Sequence, residues 1–305
     1  MPRKRSLTKT NTDCKVLKTS QTIEDEIRSP YFVHTEGGNE ARSTQGEEGK
    51  ATLCLAKESP SVLPGPLVSL PIPAQPQGPG QRITEGFYDQ ECVALAKALL
   101  GKVVVRVVDG RRVSARVVET ESYLGGPDQA SHSCGGKRTP RNEPMYMKPG
   151  TAYVYSIYGM YHCFNVSSRG DGACVLVRAA EPLEGLEMMV QGRGARRGAT
   201  APPLKPHQLC NGPSKLCQAL ALTKESANKL DLAESDVFWM EEEEEKEQED
   251  GIRGAGVGEG QVVVSARIGI DSYGAEWAKK PLRFYILGNK CVSVRDKQAE
   301  KDMIG

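Results

Sequence analysis

Apolar and polar positions along this chain fall into a regular rhythm only beyond about Ile83. From Met1 to Arg82 no helical or strand period is sustained, and the stretch PSVLPGPLVSLPIPAQPQGPG ends at Gly80. Proline removes backbone donors and glycine raises the entropy cost of ordering, so residues 1–82 are expected to be a disordered tail, basic at first and then rich in Pro and Gly. Asp89 to Leu100 predicts a helix, with Asp89 as cap, Val93, Ala96 and Leu100 as apolar stripe and Gly101 as stop. The β-branched runs Val103–Val108 and Val113–Tyr123, joined by Asp109-Gly110, predict a hairpin. A second pair is expected at Ala152–Ile157 and Tyr161–Ser167, with Tyr158-Gly159-Met160 as its tip. Gly170-Asp171-Gly172 then turns into a third strand, Ala173–Arg178.

Further on, Glu184–Val190 predicts a helix, succeeded by a basic loop from Gln191 to Gln208 that carries Arg193, Arg196, Arg197 and Lys205. Pro213 suits the first turn of a helix reaching Leu222. The acidic run Glu241–Asp250 and the GIRGAGVGEG after it read as a flexible insertion, and strands return at Gln261–Ile268 and Pro281–Leu287. The expectation is a single mixed α+β domain over 83–300, with a mostly antiparallel β-sheet core, flanking helices, and flexible loops at 191–208 and 240–260.

Composition narrows the function. Forty basic side chains against 39 acidic ones leave a net charge of +1, so only local charge is informative. Nine scattered cysteines without a CxxC pair suit reduced thiols in the cytosol or nucleus. No apolar run approaches the ~18–20 residues that cross a bilayer, and no secretory leader is expected. Pro2-Arg3-Lys4-Arg5, with Lys9, Lys15 and Lys18, reads as a nuclear import signal or a weak DNA-binding arm, and equally as a solvated basic tail. Walker A, helix-opening GxGxxG, HExxH and GxSxG patterns are all missing, and the His-Cys pairs lack zinc-ligand spacing, so a structural metal is not expected. QRITEGFY, from Gln81 to Tyr88, loosely resembles a sliding-clamp-binding box. Thr84 occupies its aliphatic position, and Phe87 and Tyr88 are expected to pack against the first helix instead.

Three segments can carry chemistry. In VSARVVETESY, strict alternation puts Val113, Ala115 and Val117 on one face and continues it with Glu119, Glu121 and Tyr123. A core stripe would thus run into two carboxylates, and a buried carboxylate needs donors or a partner. One reading is a general base on the floor of a pocket; the other is a pair of surface groups past the strand end, one of them ion-paired. His132 comes next, in a loop with Lys137, Arg138, Arg141 and Lys148 nearby, suited to phosphate contact or simply solvated. Four of the ten tyrosines fall within Tyr153–Tyr161. Packing accounts for Tyr153 and Tyr161, whereas Tyr158 at a tight exposed tip could push between stacked bases.

VVETESYLG, KRTPRNEPMYMKPGTAYVYSIYGMYHCFNVSS, GDGACVLVRAAEPLEG and NGPSKLCQALAL resemble the alkyladenine (3-methyladenine, N-methylpurine) DNA glycosylases of vertebrate type, from about Gly86 to Asp296. The resemblance implies that family's single-domain fold, akin to formyltransferase C-terminal domains. It implies a monofunctional, cofactor-free enzyme of base excision repair without lyase activity. Such an enzyme flips 3-methyladenine, 7-methylguanine, hypoxanthine or ethenoadenine from duplex DNA and leaves an abasic site. It assigns Glu121 as the general base, Arg178 beside the attacking water, Tyr123, His132 and Tyr155 as pocket walls, and Asn165 as the group excluding guanine. Tyr158, with Met160 beside it, would fill the gap in the duplex, and Lys137, Arg138, Arg141, Lys148, Arg169 and Lys215 would meet the backbone. A nuclear monomer is expected, with room for a mitochondrial fraction and for repair-protein contacts through the tail. Three positions depart from the pattern: Gly126 after Gly125, Ser156, and His162. Two rivals are a damage-binding module without chemistry, which retention of Glu121 disfavours, and an RNA- or nucleotide-directed base hydrolase, which a wedge tyrosine disfavours.

Overall fold

The computed structural model of the chain describes residues 80–195, 197, 201–243 and 257–304. The expected disordered tail up to residue 79, Arg196 and most of the acidic insertion lie outside the described residues. Among the described residues, eight strands form one antiparallel sheet: β1 Val103–Val108, β2 Arg111–Tyr123, β3 Ala152–Ile157, β4 Tyr161–Ser167, β5 Cys174–Glu184, β6 Phe238–Glu241, β7 Val262–Ser265 and β8 Arg283–Ile286. Their order is β3-β4-β5-β2-β1-β6, while β8 pairs with the far half of β2 and carries β7 on its other side. β1, β3 and β4 have the ends the sequence predicted. Asp109 and Gly110 both take positive φ, 50° and 73°, as the β1–β2 turn requires.

One face of the sheet is sealed by the helices Cys92–Ala98 and Pro213–Ala219. Leu95, Leu99 and Leu216 are fully buried there against Val117, Val177 and Phe164. Each such leucine contributes roughly 1.5–3 kcal/mol by leaving water. Tyr88 is also fully buried, in a four-residue helix Glu85–Tyr88, and a Cβ on Gly150 would come within 2.8 Å of its ring. Of the clamp-like QRITEGFY string, Ile83 and Tyr88 are buried in the core and Phe87 packs partly buried against it, while Gln81, Thr84, Glu85 and Gly86 are exposed.

Several expected ends move, each for a local reason. Asp89 does not cap the first long helix: its carboxylate takes Arg169 Nε at 2.9 Å, and the helix starts at Cys92 behind Glu91. β5 runs past Arg178 to Glu184 because β2 is long enough to pair with it throughout. The next helix therefore starts at Leu186, after Gly185 in a left-handed turn (φ 72°), and extends to Gly194, into the loop expected from Gln191. The helix at Pro213 stops at Ala219 rather than Leu222. Met240 and Glu241 belong to β6 and are buried, so the insertion does not begin at 240. The strands expected at 261–268 and 281–287 shorten to β7 and β8. Short helices at Lys224–Ala227, Ala275–Ala278 and Lys297–Ile304 were not anticipated. Among the described residues no helix is long and apolar enough to cross a membrane.

Candidate active site

The sheet's alternation breaks where the carboxylates sit. Between Val117 and Glu119 the β2–β5 register shifts with Val118 as the additional residue on β2, and between Glu119 and Thr120 it shifts again with Arg178 additional on β5. Each is a bulge, which leaves one residue without a cross-strand partner and re-aims the residues beyond it. Val113, Ala115 and Val117 face the helix-covered core, but after the bulge it is Thr120 and Ser122 that face it. Thr120 Oγ1 donates to Ala96 O at 2.8 Å and Ser122 Oγ to Cys92 O at 3.3 Å. Glu119, Glu121 and Tyr123 lie on the opposite face, with Arg178. The expectation of one continuous stripe is corrected accordingly, although both carboxylates are fully buried.

Glu121 is held on every side. Its Oε1 accepts from Ile268 N at 2.8 Å and lies 3.2 Å from an Arg178 terminal nitrogen, and its Oε2 accepts from the Tyr123 hydroxyl at 3.0 Å. Arg178 Nε lies 3.5 Å from Glu119, which also takes Arg283 at 2.8 Å and Ser293 N at 2.7 Å. Cys163, behind the site, has its thiol pushed up to about 12, chiefly by burial, so it stays protonated. Tyr123 lies against the Arg267 guanidinium, 4.7 Å from the ring centre. Arg267 in turn forks onto Asp128 at 2.6 and 2.9 Å, both side chains fully buried.

Across the sheet, Tyr153, Asn165, Leu176 and Glu121 stand opposite one another on β3, β4, β5 and β2. With strands about 4.8 Å apart, Asn165 and Glu121 are two strand spacings, about 10 Å, from each other. Asn165 Nδ2 donates to Tyr153 O at 3.1 Å, which fixes its amide. The His132 ring meets Tyr155 edge-on at 4.8 Å, its Nδ1 is 2.8 Å from the Tyr153 hydroxyl, and Arg141 caps Tyr155 at 5.2 Å. His132 is exposed, but the rings of Tyr153 and Tyr155 crowd against its own. That crowding, helped by the charges of Arg141 and Lys137, lowers its pKa to about 4, so the imidazole is neutral at physiological pH. Asn142 clips this loop: its amide donates to His132 O (2.9 Å) and Lys137 O (2.8 Å) and accepts from Thr139 N (2.7 Å).

The β3–β4 tip is a turn with Tyr158 and Gly159 at φ 53° and 68° and Met160 N donating to Ile157 O at 3.2 Å. Tyr158 and Met160 are 41% and 47% exposed, large apolar surfaces on a tight turn. A left-handed tyrosine costs roughly 1–2 kcal/mol of backbone energy. The six basic candidates divide. Lys137, Arg138 and Arg141 are exposed on the loop beside His132. Lys148 is 2.5 Å from Asp231 with Glu234 and Glu85 close by, Arg169 is bonded to Asp89, and Lys215 donates to Asn211 at 3.1 Å. Sequence reasoning missed Asp128, Arg267, Arg283, Asn142 and the Ile268 amide. Only Asn142 carried a local signal, an Asx-type turn in TPRNEP. Among the described residues no group of three or more His, Cys, Asp or Glu is placed to hold a metal ion.

The family model described as methylpurine-DNA glycosylase (MPG) matches residues 86–290. A human protein named DNA-3-methyladenine glycosylase is 50% identical over 245 residues, covering 80% of this chain and 78% of its own. A probable DNA-3-methyladenine glycosylase of Encephalitozoon cuniculi is 47% identical over 202 residues, 66% of this chain and 88% of its own. A putative 3-methyladenine DNA glycosylase of Desulfitobacterium hafniense is 43% identical over 217 residues, 70% of this chain and all of its own length.

Proposed function

We propose, on the premise that this chain belongs to the methylpurine-DNA glycosylase family and is a DNA glycosylase of base excision repair, that it extrudes damaged purines from duplex DNA and hydrolyses their N-glycosidic bonds with Glu121 as general base. The observation that carries this reading is Glu121 itself: a fully buried carboxylate, oriented by Ile268 N, the Tyr123 hydroxyl and Arg178, beside a cluster of aromatic rings. A carboxylate so fixed is positioned to take one proton from a water. The water oxygen forms a bond to C1′, the glycosidic C1′–N bond breaks with its electron pair passing to the base, and the proton goes to Glu121. Arg178 supplies the counter-charge at the carboxylate.

Tyr123, His132 and Tyr155 would enclose the flipped base, whose cost of extrusion is lowest when the damage already weakens pairing. His132 is neutral, and its Nδ1 is engaged by Tyr153, so the other ring nitrogen is the one to meet a base edge. Asn165 would crowd the 2-amino group of guanine, leaving 3-methyladenine, 7-methylguanine, hypoxanthine and ethenoadenine as substrates. Tyr158, with Met160, would occupy the vacated stack, and Lys137, Arg138 and Arg141 would track phosphates. The protein would act as a nuclear monomer, with its tail free for other repair proteins.

The test is Glu121→Gln on duplex oligonucleotides carrying hypoxanthine. Excision, read as strand cleavage after alkali, is expected to fall by about 10²–10⁴-fold while lesion binding persists. Near wild-type excision would remove Glu121 from this role. Cleavage of the wild-type product without alkali would show a lyase step.

A further inference from the structure

Tyr153 is fully buried on β3, and its place in the sequence assigns it to packing, yet three different parts of it touch three pocket groups. Its hydroxyl is 2.8 Å from His132 Nδ1, its main-chain carbonyl accepts from Asn165 Nδ2 at 3.1 Å, and its ring centre lies 5.2 Å from that of Tyr155. The hydroxyl contact is the one with a choice in it, because either the phenol oxygen or Nδ1 can be the donor.

A neutral imidazole holds one N–H, and the nitrogen that carries it is set by what the other nitrogen bonds. If Nδ1–H donated to Tyr153, the phenol hydrogen would need a second acceptor in the interior. Around that hydroxyl the structure places the Arg141 guanidinium and the thiols of Cys163 and Cys174. A guanidinium has no acceptor atom, and a thiol sulfur is a weak one. Burial pushes both thiols up, so neither becomes a thiolate. Among the described residues no carbonyl or carboxylate takes the phenol hydrogen. If the phenol donates to Nδ1 instead, its hydrogen is bonded and its lone pairs face the charge of Arg141. Leaving a buried O–H without an acceptor disfavours the first arrangement by roughly five- to a hundredfold in population. The second arrangement wins.

We propose that Tyr153 is a positioning residue that fixes the tautomer of His132: its hydroxyl donates to Nδ1, so the ring hydrogen sits on Nε2, and the pocket wall offers a donor there to an acceptor atom on the flipped base. This rests on the reading of His132 as a wall of the base pocket. The edge-on packing of His132 against Tyr155 at 4.8 Å holds the ring plane, and the Tyr153 hydroxyl fixes which way round the ring stands within it. Tyr153 thus serves two pocket groups through separate atoms. Its side chain acts on His132, and its main chain acts on Asn165.

The experiment takes two readings on the full chain. The long-range ¹H–¹⁵N spectrum of protein labelled at histidine separates the two tautomers, and with four histidines in the chain His132 is assigned by comparison with His132→Ala. Wild type at neutral pH is expected to show His132 as Nε2–H. A predominant Nδ1–H would overturn the proposal, and this reading needs no variant at Tyr153. Tyr153→Phe removes the hydroxyl alone, and its spectrum is expected to gain an Nδ1–H population. Its binding to a hypoxanthine duplex should weaken about three- to tenfold, the share of one ordinary hydrogen bond, while a duplex carrying a base-free abasic analogue should be bound as by wild type. Equal losses on the two duplexes would put the acceptor on the DNA backbone and overturn the assignment to the base. The carbonyl that holds Asn165 survives the substitution, so excision of undamaged guanine should stay at the wild-type background. A rise in guanine excision alongside the weakened binding would show that Tyr153 acts by packing alone, which also overturns the proposal. If His132→Ala leaves hypoxanthine binding unchanged, the reading of His132 as a wall fails. If it weakens binding and Tyr153→Phe does not, that reading stands and only the role of Tyr153 is excluded.

Discussion

The centre of the β2–β5 pair and the tip of the β3–β4 hairpin meet opposite demands. At the centre every charged group is fully buried or nearly so and is gripped by several partners, from Ile268 N on Glu121 to the fork of Arg267 on Asp128. At the tip, Tyr158 and Met160 expose large side chains on a strained turn. The first region holds geometry through cooperative polar contacts that are costly to leave incomplete. The second offers surface to something outside the chain. Removing a partner at the centre should therefore damage the fold as well as the chemistry, whereas truncation at the tip should leave the fold intact.

The largest test of that contrast is Asp128→Ala. It strands the fully buried Arg267, and breaking a buried pair from one side typically costs about 3–5 kcal/mol. Urea unfolding should show a loss in this range. A loss under ~1 kcal/mol would mean that the centre is not held as its contacts suggest. Tyr158→Ala comes next. It should leave unfolding within ~0.5 kcal/mol of wild type, as surface changes usually do, while weakening lesion-specific binding by up to a few kcal/mol through the flipping equilibrium. Ethenoadenine fluorescence reads that equilibrium, and an unchanged value would remove Tyr158 as the wedge. The smallest effect separates two bases at the edge of the site. Arg141→Ala should reduce the slope of log binding against log salt by about 0.9, the value for one phosphate contact. Lys148→Ala should change the slope far less, because Lys148 is already occupied by Asp231. Equal slopes for the two variants would break the division of the basic residues.

The same contrast explains how much was legible in the chain. The hairpins could be read because alternation and turn residues are local: β1, β3 and β4 end where the pattern said, and Asp109-Gly110 turns as such a pair should. The tip was legible for the same reason, since a tyrosine before glycine between two strands has nowhere to hide. The centre was not. Arg267 and Asp128 lie 139 residues apart, and nothing in either segment indicates the other. Arg283 meets Glu119 across 164 residues. β6 has only four residues and runs into an acidic string that reads as solvated, although Glu241 is pinned by Arg112 at 2.7 Å. The resemblance to a family pointed to Glu121 and Arg178, which do lie side by side, but only the folded sheet placed Glu119 with them.

The two bulges can be viewed as a change of parity. A strand assigns its residues to two sides by counting in twos, so one additional residue exchanges odd and even for everything downstream. Val118 does this on β2 and Arg178 on β5. Before the shift, odd positions face the helices; after it, Glu119, Glu121 and Tyr123 are turned to the opposite face, with Arg178. Paired without that shift, the same residues would send both glutamates under the helix Cys92–Ala98, among apolar side chains that offer them no partner. For a sheet of this kind, a reaction centre can thus be gained or lost through a slip of one position in the count, with no change in the identity of any reacting residue.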